Sequence, residues 1–339
     1  MIHPLYQCGL CITFTLMGND KKLIGVLAGG YSSEREISLA SGRTAFDAFI
    51  EAGYPTVFIE LTTDGFKVDG QQVKISDLNL SYVFNAVHGT PGEDGHLSGM
   101  LKLFGIPHST CDTFTSALTF AKFQCNTLLR EKGIRVPRGM SFFSEPDPTV
   151  FEQWEFPLFV KPNRSGSSFG VSRIENINEF SKAFRVAKQE DHEVIVEEGV
   201  IGTEVGCGVL RARFDFSTNT ALNESKTQAI TVTEIVPTEG TFFDYEAKYD
   251  GKSEEITPAR ISKEVYDHIQ SISIKVYELL HLNGIVRMDF IINAKQEPVL
   301  IEVNSIPGLS PASIVPQQLA YRNWNLSKVL SLHAEEHIA

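Results

Sequence analysis

Arg287, Asp289, Glu302 and Asn304 are the residues of this chain best placed to do chemistry together. They sit in two stretches, Gly284 to Asn293 and Pro298 to Gly308, where β-branched and apolar residues alternate with polar ones. The segment Ala294-Lys295-Gln296-Glu297 breaks the run between them. Side chains two apart on a strand share a face, so Arg287 projects with Asp289, and Glu302 with Asn304. Folded as a hairpin, the two arms bring two carboxylates, an amide oxygen and a guanidinium onto one surface. Such oxygens are hard ligands that suit Mg²⁺, an ion that keeps several waters and bridges to substrate phosphates. An arginine beside that ion suits a developing negative charge. Taken alone, the same pattern also describes a hairpin whose polar face is merely solvated.

The surrounding elements decide between those readings. Gly166-Ser-Ser-Phe-Gly170 lies between two strands, with Lys161 closing the first. Glycines let backbone approach phosphate, while serine hydroxyls and N–H groups supply donors; a plain turn uses the same residues. Glu197 and Glu198 close a strand and Glu204 follows a glycine-containing turn. This acidic trio suits a purine amino group and ribose hydroxyls, or a solvated turn. Residues 241–251, aromatic and charged without periodicity, read as a structured loop, either a lid or a packed surface loop. Common nucleotide fingerprints are missing: no G-x-G-x-x-G follows the first strand, and Glu246 stands where a P-loop ending in Gly251-Lys252-Ser253 needs glycine.

Bulk properties narrow the field. The 339 residues exceed one ordinary domain, and 42% apolar with 21% charged residues fit a globular chain with a sizeable core. A net charge of −12 argues against nucleic acid as the main partner, so a polyphosphate must be held by a few local lysines, backbone amides and metal. Five cysteines give no disulfide framework and fit a reducing compartment. Cys8-Gly-Leu-Cys11 precedes the first strand and has no second pair to complete a zinc site. The apolar run 5–17 is too short to span a bilayer and lacks the flanks of a signal peptide. A cytoplasmic protein without membrane partner is expected, with Met17 a natural start and residues 1–22 an extension outside the fold.

Strands are expected at 23–28, 56–60 and 82–87, with helices between about 34 and 53 and after Leu97, giving an α/β unit over 23–111 with an open, mostly parallel sheet. Ligands of such sheets bind beyond the strands' carboxyl ends, where Gly29 to Glu34 and His88 to Gly95 fall. A second unit, 112–198, carries a helix with Lys122, strands at 157–162, 171–174 and 193–198, and a helix at 177–188. The third, 199–339, is richer in strands (204–212, 230–236 and the hairpin) with an amphipathic helix over 262–282, which is an α+β pattern.

Five segments in this order resemble the D-alanine–D-alanine ligases of the ATP-grasp superfamily. They are Gly29-Gly-Tyr-Ser-Ser-Glu-Arg-Glu-Ile-Ser-Leu39; His88-Gly-Thr-Pro-Gly-Glu-Asp-Gly95 with Gly105-Ile-Pro107; Val160-Lys-Pro-Asn-Arg-Ser-Gly-Ser-Ser-Phe-Gly170; Phe243-Asp-Tyr-Glu-Ala-Lys-Tyr249; and Arg287-Met-Asp289 through Glu302 to Gly308. The resemblance covers residues 23–335 and implies a three-domain ATP-grasp architecture with a lid at 241–253. It implies ATP- and Mg²⁺-dependent joining of two D-alanine molecules through a D-alanyl phosphate, for peptidoglycan precursor synthesis, commonly by a homodimer. Asp289, Glu302 and Asn304 match the family's metal ligands for two Mg²⁺ ions, with Mn²⁺ an acceptable substitute. Lys122 and Lys161 match its phosphate-holding lysines, and Ser167 lies in its phosphate loop. Glu197, Glu198, Val200 and Glu204 align with adenine and ribose contacts, Glu198 through its backbone since many members have lysine there. Glu34 and His88 would border the first D-alanine, and Ser313 and Ile314 the second. Arg287 and the Gly308 amide would stabilise the tetrahedral intermediate. Lys248 and Tyr249 fall on the lid, Tyr249 directed towards Ser167 and Glu34. Members that make a D-alanyl-D-lactate ester tend to carry phenylalanine at this tyrosine, so Tyr249 favours the dipeptide over the alternatives, a D-lactate ligase or another carboxylate–amine ligase. Ala121, His108 and Ser165 depart from the family's usual residues without removing a metal ligand.

Overall fold

Six consecutive buried residues, Ile24–Gly29, form strand β1 at the heart of the first sheet; a strand covered on both faces has no polar side to alternate. The computed structural model describes residues 22–166, 168–237 and 253–338. Helix α1 (Arg35–Glu51) follows β1, then β2 (Thr56–Thr62), β3 (Gly65–Val68), β4 (Gln71–Val73) and β5 (Tyr82–Asn85), with sheet order β4-β3-β2-β1-β5. β1 runs parallel to β2 and β5, as expected, while β3 and β4 add an antiparallel edge. These two strands, of four and three residues, are too short to show periodicity. Their turn, Asp69-Gly70 with φ of 49° and 76°, is the real signal.

α1 buries Ser38, Ser41, Gly42, Ala45, Ala48 and Phe49, a stripe of mostly small residues at helical spacing. Small size lets the helix lie close: a Cβ on Gly42 would sit 2.4 Å from that of Ala28. On the other face, α2 (His96–Leu103) packs Leu97 and Leu101 against Leu27, Ile59 and Val83.

Helices α3 (Thr113–Phe120) and α4 (Lys122–Glu131) lead to a second, wholly antiparallel sheet. It contains β6 (Gly139–Phe142), β7 (Leu158–Pro162), β8 (Ser172–Ile174) and β9 (Val194–Glu198) in the order β6-β9-β7-β8. Helix α5 (Phe180–Glu190) covers it through Phe180 and Phe184.

The third sheet comprises β10 (Gly202–Asp215), β11 (Thr220–Pro237), β12 (Ser253–Ile256), β13 (Val286–Asn293) and β14 (Pro298–Asn304), ordered β12-β11-β10-β13-β14 and antiparallel throughout. Helix α6 (Lys263–Leu279) lies on one face through Val265, Ile269, Val276 and Tyr277. β10 and β11 outrun their expected lengths and reach the first unit, where Leu210, Phe214 and Ile230 join Ile24, Phe49 and Phe84 in one core. α7 (Ile314–Tyr321) and α8 (Leu326–His337) complete that core with Val315, Leu319, Val329 and Leu330. The first and third sheets are therefore locked together. Among the described residues no helix is long and apolar enough to cross a membrane.

The lock carries a buried base. His333 on α8 bonds Tyr82 Oη at 2.7 Å through Nδ1 and Asn283 Oδ1 at 3.2 Å through Nε2, and stacks on His337 at 4.5 Å. Burial, then the charges of His337 and His108, pushes its pKa from 6.5 down to about 3. The folded chain keeps His333 neutral while the unfolded chain takes up a proton below about pH 6.5, so stability falls as pH drops towards about 3. Urea midpoints across that window should therefore fall less steeply for His333→Gln than for the parent chain; equal slopes would contradict this assignment.

Candidate active site

The hairpin face assembles as alternation predicts. Arg287 pairs across from Asn304 and Asp289 from Glu302 in the β13–β14 register, so all four share one face. A register shift just beyond Asp289 leaves Ile301 as an extra residue on β14. Arg287 grips Asp289 with both ends of its fork, Nε to Oδ1 at 2.7 Å and Nη2 to Oδ2 at 2.8 Å. Gly206 on β10 lies opposite Asp289, and a Cβ there would sit 3.2 Å from Asp289 Oδ1 and 3.4 Å from Arg287 Cδ. Glycine keeps that room free. Glu302 faces the Lys122 ammonium at 3.3 Å, and Lys122 also donates to the Ser165 carbonyl at 2.5 Å. Asn304 Oδ1 accepts from the Ile306 amide at 3.1 Å, turning the chain out of β14.

A cleft between the second and third sheets ends at this face. Lys161, Glu197, Glu198, Val200, Glu204 and Ile291 line it, with Lys122, Asp289 and Glu302 at one end. Lys161 and Glu197, both buried, form an ion pair at 2.7 Å. The expected phosphate lysine and the expected adenine contact thus hold each other. Arg138 takes the Glu198 carboxylate at 3.0 Å while stacking on Trp154.

The glycine-rich loop hangs from a buried polar network that no motif announced. Asn163, fully buried, donates to Gln124 Oε1 (2.8 Å) and Glu193 Oε2 (2.7 Å) and accepts from the Phe123 amide (2.8 Å). Arg164 pairs with Asp191 and Glu193 at 3.2 and 2.8 Å. Burial alone would raise the Glu193 carboxyl, but hydrogen bonds from Gln124, Asn163 and Ser141 and the Arg164 charge hold it below its usual range. The loop rests on Glu34, for a Cβ on Gly166 would fall 2.3 Å from Glu34 Oε2.

On the other side of the hairpin face a second cavity is lined by Glu34, His88, Glu93, Arg287, Asn304 and Gly308. Ser313 occupies the N-cap position of α7, but its hydroxyl meets that of Ser310 at 2.8 Å rather than a helix amide, so Ser313 and Ile314 stand at the helix start near Gly308. Glu255, which the motifs did not single out, is tied to Gln317 on the same helix. Burial pushes its carboxyl up, against hydrogen bonding from Gln317 and the Arg287 charge. Ser167, Lys248, Tyr249, the loop 241–252 and Cys8 and Cys11 lie outside the described residues. Cys111, Cys125 and Cys207 are buried free thiols that burial pushes up to about 12, a state inert to thiolate chemistry.

Among the described residues no group of three or more His, Cys, Asp and Glu side chains forms a metal cage. The hairpin offers two carboxylates and an amide oxygen, the sparse hard-donor set of an ion that shares its shell with water and phosphate.

A family model described as D-ala D-ala ligase C-terminus matches residues 138–332. The D-alanine--D-alanine ligase of Christiangramia forsetii is 40% identical over 317 residues, covering 88% of this chain and 93% of the relative. That of Azobacteroides pseudotrichonymphae is 34% identical over 329 residues, covering 91% and 98%. Among solved structures, the VanG D-Ala:D-Ser ligase from Enterococcus faecalis superposes with a TM-score of 0.80 at 30% identity, covering 94% and 99%. D-alanyl-alanine synthetase A from Vibrio cholerae superposes with a TM-score of 0.82 at 24% identity, covering 94% and 98%, a likeness of fold.

The buried pair in the cleft sets a test that needs no ligand. Lys161→Met strands the Glu197 carboxylate and should cost about 3–5 kcal/mol in urea unfolding. Adding Glu197→Leu should recover most of that loss; additive losses would mean that the two charges do not depend on each other.

Proposed function

This chain belongs to the D-alanine–D-alanine ligase family, and from that premise we propose that its hairpin face joins two molecules of D-alanine into D-alanyl-D-alanine at the expense of ATP. The observation that carries the reading is that the two cavities share a wall: Lys122, Ser165, Gly166 and Glu302 line both. A nucleotide in the first cavity and an amino acid in the second would meet across it. The product serves peptidoglycan precursor synthesis. We place the reaction in the cytoplasm, where ATP is made and free thiols persist, and take the assembly to be a homodimer, as the family commonly is.

A carboxylate oxygen of the first D-alanine bonds to the γ-phosphorus while the bond from that phosphorus to its bridging oxygen breaks, releasing ADP. Lys122 and Lys161 neutralise phosphate charge, Glu197, Glu198, Val200 and Glu204 seat the adenosine, and Glu34 holds the amino acid's ammonium with His88 beside it. The amine of the second D-alanine, bordered by Ser313 and Ile314, attacks the acyl carbon; the carbon–oxygen bond to phosphate breaks and the amine sheds a proton. Arg287 and the Gly308 amide steady the oxyanion. Acyl phosphates hydrolyse readily, which gives a lid bearing Lys248 and Tyr249, together with Ser167, its reason to exclude water. Asp289, Glu302 and Asn304 would hold two Mg²⁺ ions; bound Mg²⁺ or Mn²⁺ would supply further neutralisation of phosphate charge.

Incubating the full chain with ATP, Mg²⁺ and D-alanine, with D-lactate or D-serine added in parallel, should yield D-alanyl-D-alanine as the main product by mass spectrometry. Glu302→Gln should abolish it, and Arg287→Ala should lower kcat by roughly 10²–10³. A mixed product outrunning the dipeptide would shift the assignment to another acceptor, and a folded Arg287→Ala chain with full turnover would remove that arginine's role.

A further inference from the structure

Ser41 is a buried serine on α1, one turn beyond Ser38, that no motif singled out. Its hydroxyl accepts the Leu309 amide at 3.0 Å, from a segment distant in sequence. The same oxygen lies 3.2 Å from His88 Nε2, and His88 Nδ1 lies 3.6 Å from Glu93 Oε1. One proton arrangement serves every partner: Leu309 N–H donates to Ser41, Ser41 O–H donates to Nε2, and the Nδ1 proton faces the Glu93 carboxylate. Glu93 is fixed in turn by the Gly89 amide at 3.2 Å.

This chain of bonds ends on the backbone that follows Gly308. Holding the Leu309 N–H fixes ψ of Gly308, and the Leu309 side chain is buried in the core shared by the first and third sheets. Upstream, Asn304 Oδ1 holds the Ile306 amide. The Gly308 amide therefore lies between two anchors, one on the hairpin and one on α1. We propose that Ser41 is a positioning residue for the ligation step, holding the Gly308 amide in its oxyanion-binding orientation and coupling it to His88 beside the first amino acid. The proposal rests on the ligase reading above. Ser38 does parallel work, accepting from the Gly29 amide at 2.8 Å and donating to the Ala86 carbonyl at 2.7 Å, so this face of α1 secures the loops with hydroxyls.

A misoriented Gly308 amide slows amine attack but leaves phosphoryl transfer intact, so acyl phosphate is lost to water. The test compares the parent chain with Ser41→Ala, Ser41→Cys and Ser41→Thr, reading dipeptide kcat, the KM for ATP and phosphate released per dipeptide. Ser41→Ala should lower kcat about tenfold, the scale of one lost buried hydrogen bond, leave the KM for ATP within about twofold, and raise phosphate per dipeptide above parity. Ser41→Cys keeps the shape with a weak hydrogen-bonding group and should behave alike; Ser41→Thr keeps the hydroxyl and should restore parity. Parent-like kcat and parity in both Ser41→Ala and Ser41→Cys would overturn the proposal. So would a loss at parity with the KM for ATP raised in step, which marks a merely structural defect. A parent chain that makes no dipeptide would remove the ligase reading instead, and this inference with it.

Discussion

Two carboxylates stand directly opposite each other on neighbouring strands, Asp289 across from Glu302, and like charges so placed repel. The rest of the site is arranged around that repulsion. Arg287 neutralises Asp289 from the same strand, and Lys122 neutralises Glu302 from α4. Lys122 is the first residue of its helix, the end where the helix dipole disfavours a cation. Its place there makes sense only because Glu302 and the Ser165 carbonyl take up the charge. In a chain of net charge −12, a polyphosphate cannot be drawn in by a basic surface. The few lysines and arginines paired with carboxylates around the hairpin face and its cleft are the local cations there.

The pairing works only if elements from three sheets stay in register. The shared core does this for the first and third: β10 and β11 run past the hairpin and bury Leu210, Phe214 and Ile230 among residues of β1, α1 and α8. The loops holding Glu34 and His88 are thereby set against Arg287 and Gly308. The second sheet has its own core around Phe151, Phe180 and Val196. It reaches the site through polar contacts instead, chiefly Lys122 to the Ser165 carbonyl and Asn163 to the start of α4.

How much of this was legible depended on how local the cause is. Alternation along β13 and β14 is a two-residue pattern, so the face bearing Arg287, Asp289, Glu302 and Asn304 could be read before any pairing was known. The Lys161–Glu197 pair could not, because it requires the register that sets β7 beside β9. Asn163, Asp191 and Glu193 look like loop polarity in sequence, and only their convergence in a buried site turns them into the anchor of the glycine loop. Ser41 is similar: a serine in a small-residue helical stripe carries no sign of a partner at Leu309. The missed strands β3, β4, β6 and β12 are at most four residues long, below the length at which alternation shows. α7 and α8 follow the hairpin with weakly periodic sequences whose stability comes from docking on the shared core.

The central claim, that phosphoryl transfer to a carboxylate precedes amide formation at one hairpin face, has a direct test. D-alanine labelled with oxygen-18 in its carboxylate would be converted with unlabelled ATP and Mg²⁺, and the released phosphate and dipeptide weighed by mass spectrometry. Passage through an acyl phosphate requires one labelled oxygen in phosphate for every dipeptide formed, with the peptide carbonyl keeping the other. Unlabelled pyrophosphate beside labelled AMP would mean adenylyl transfer instead, and that result would contradict the account.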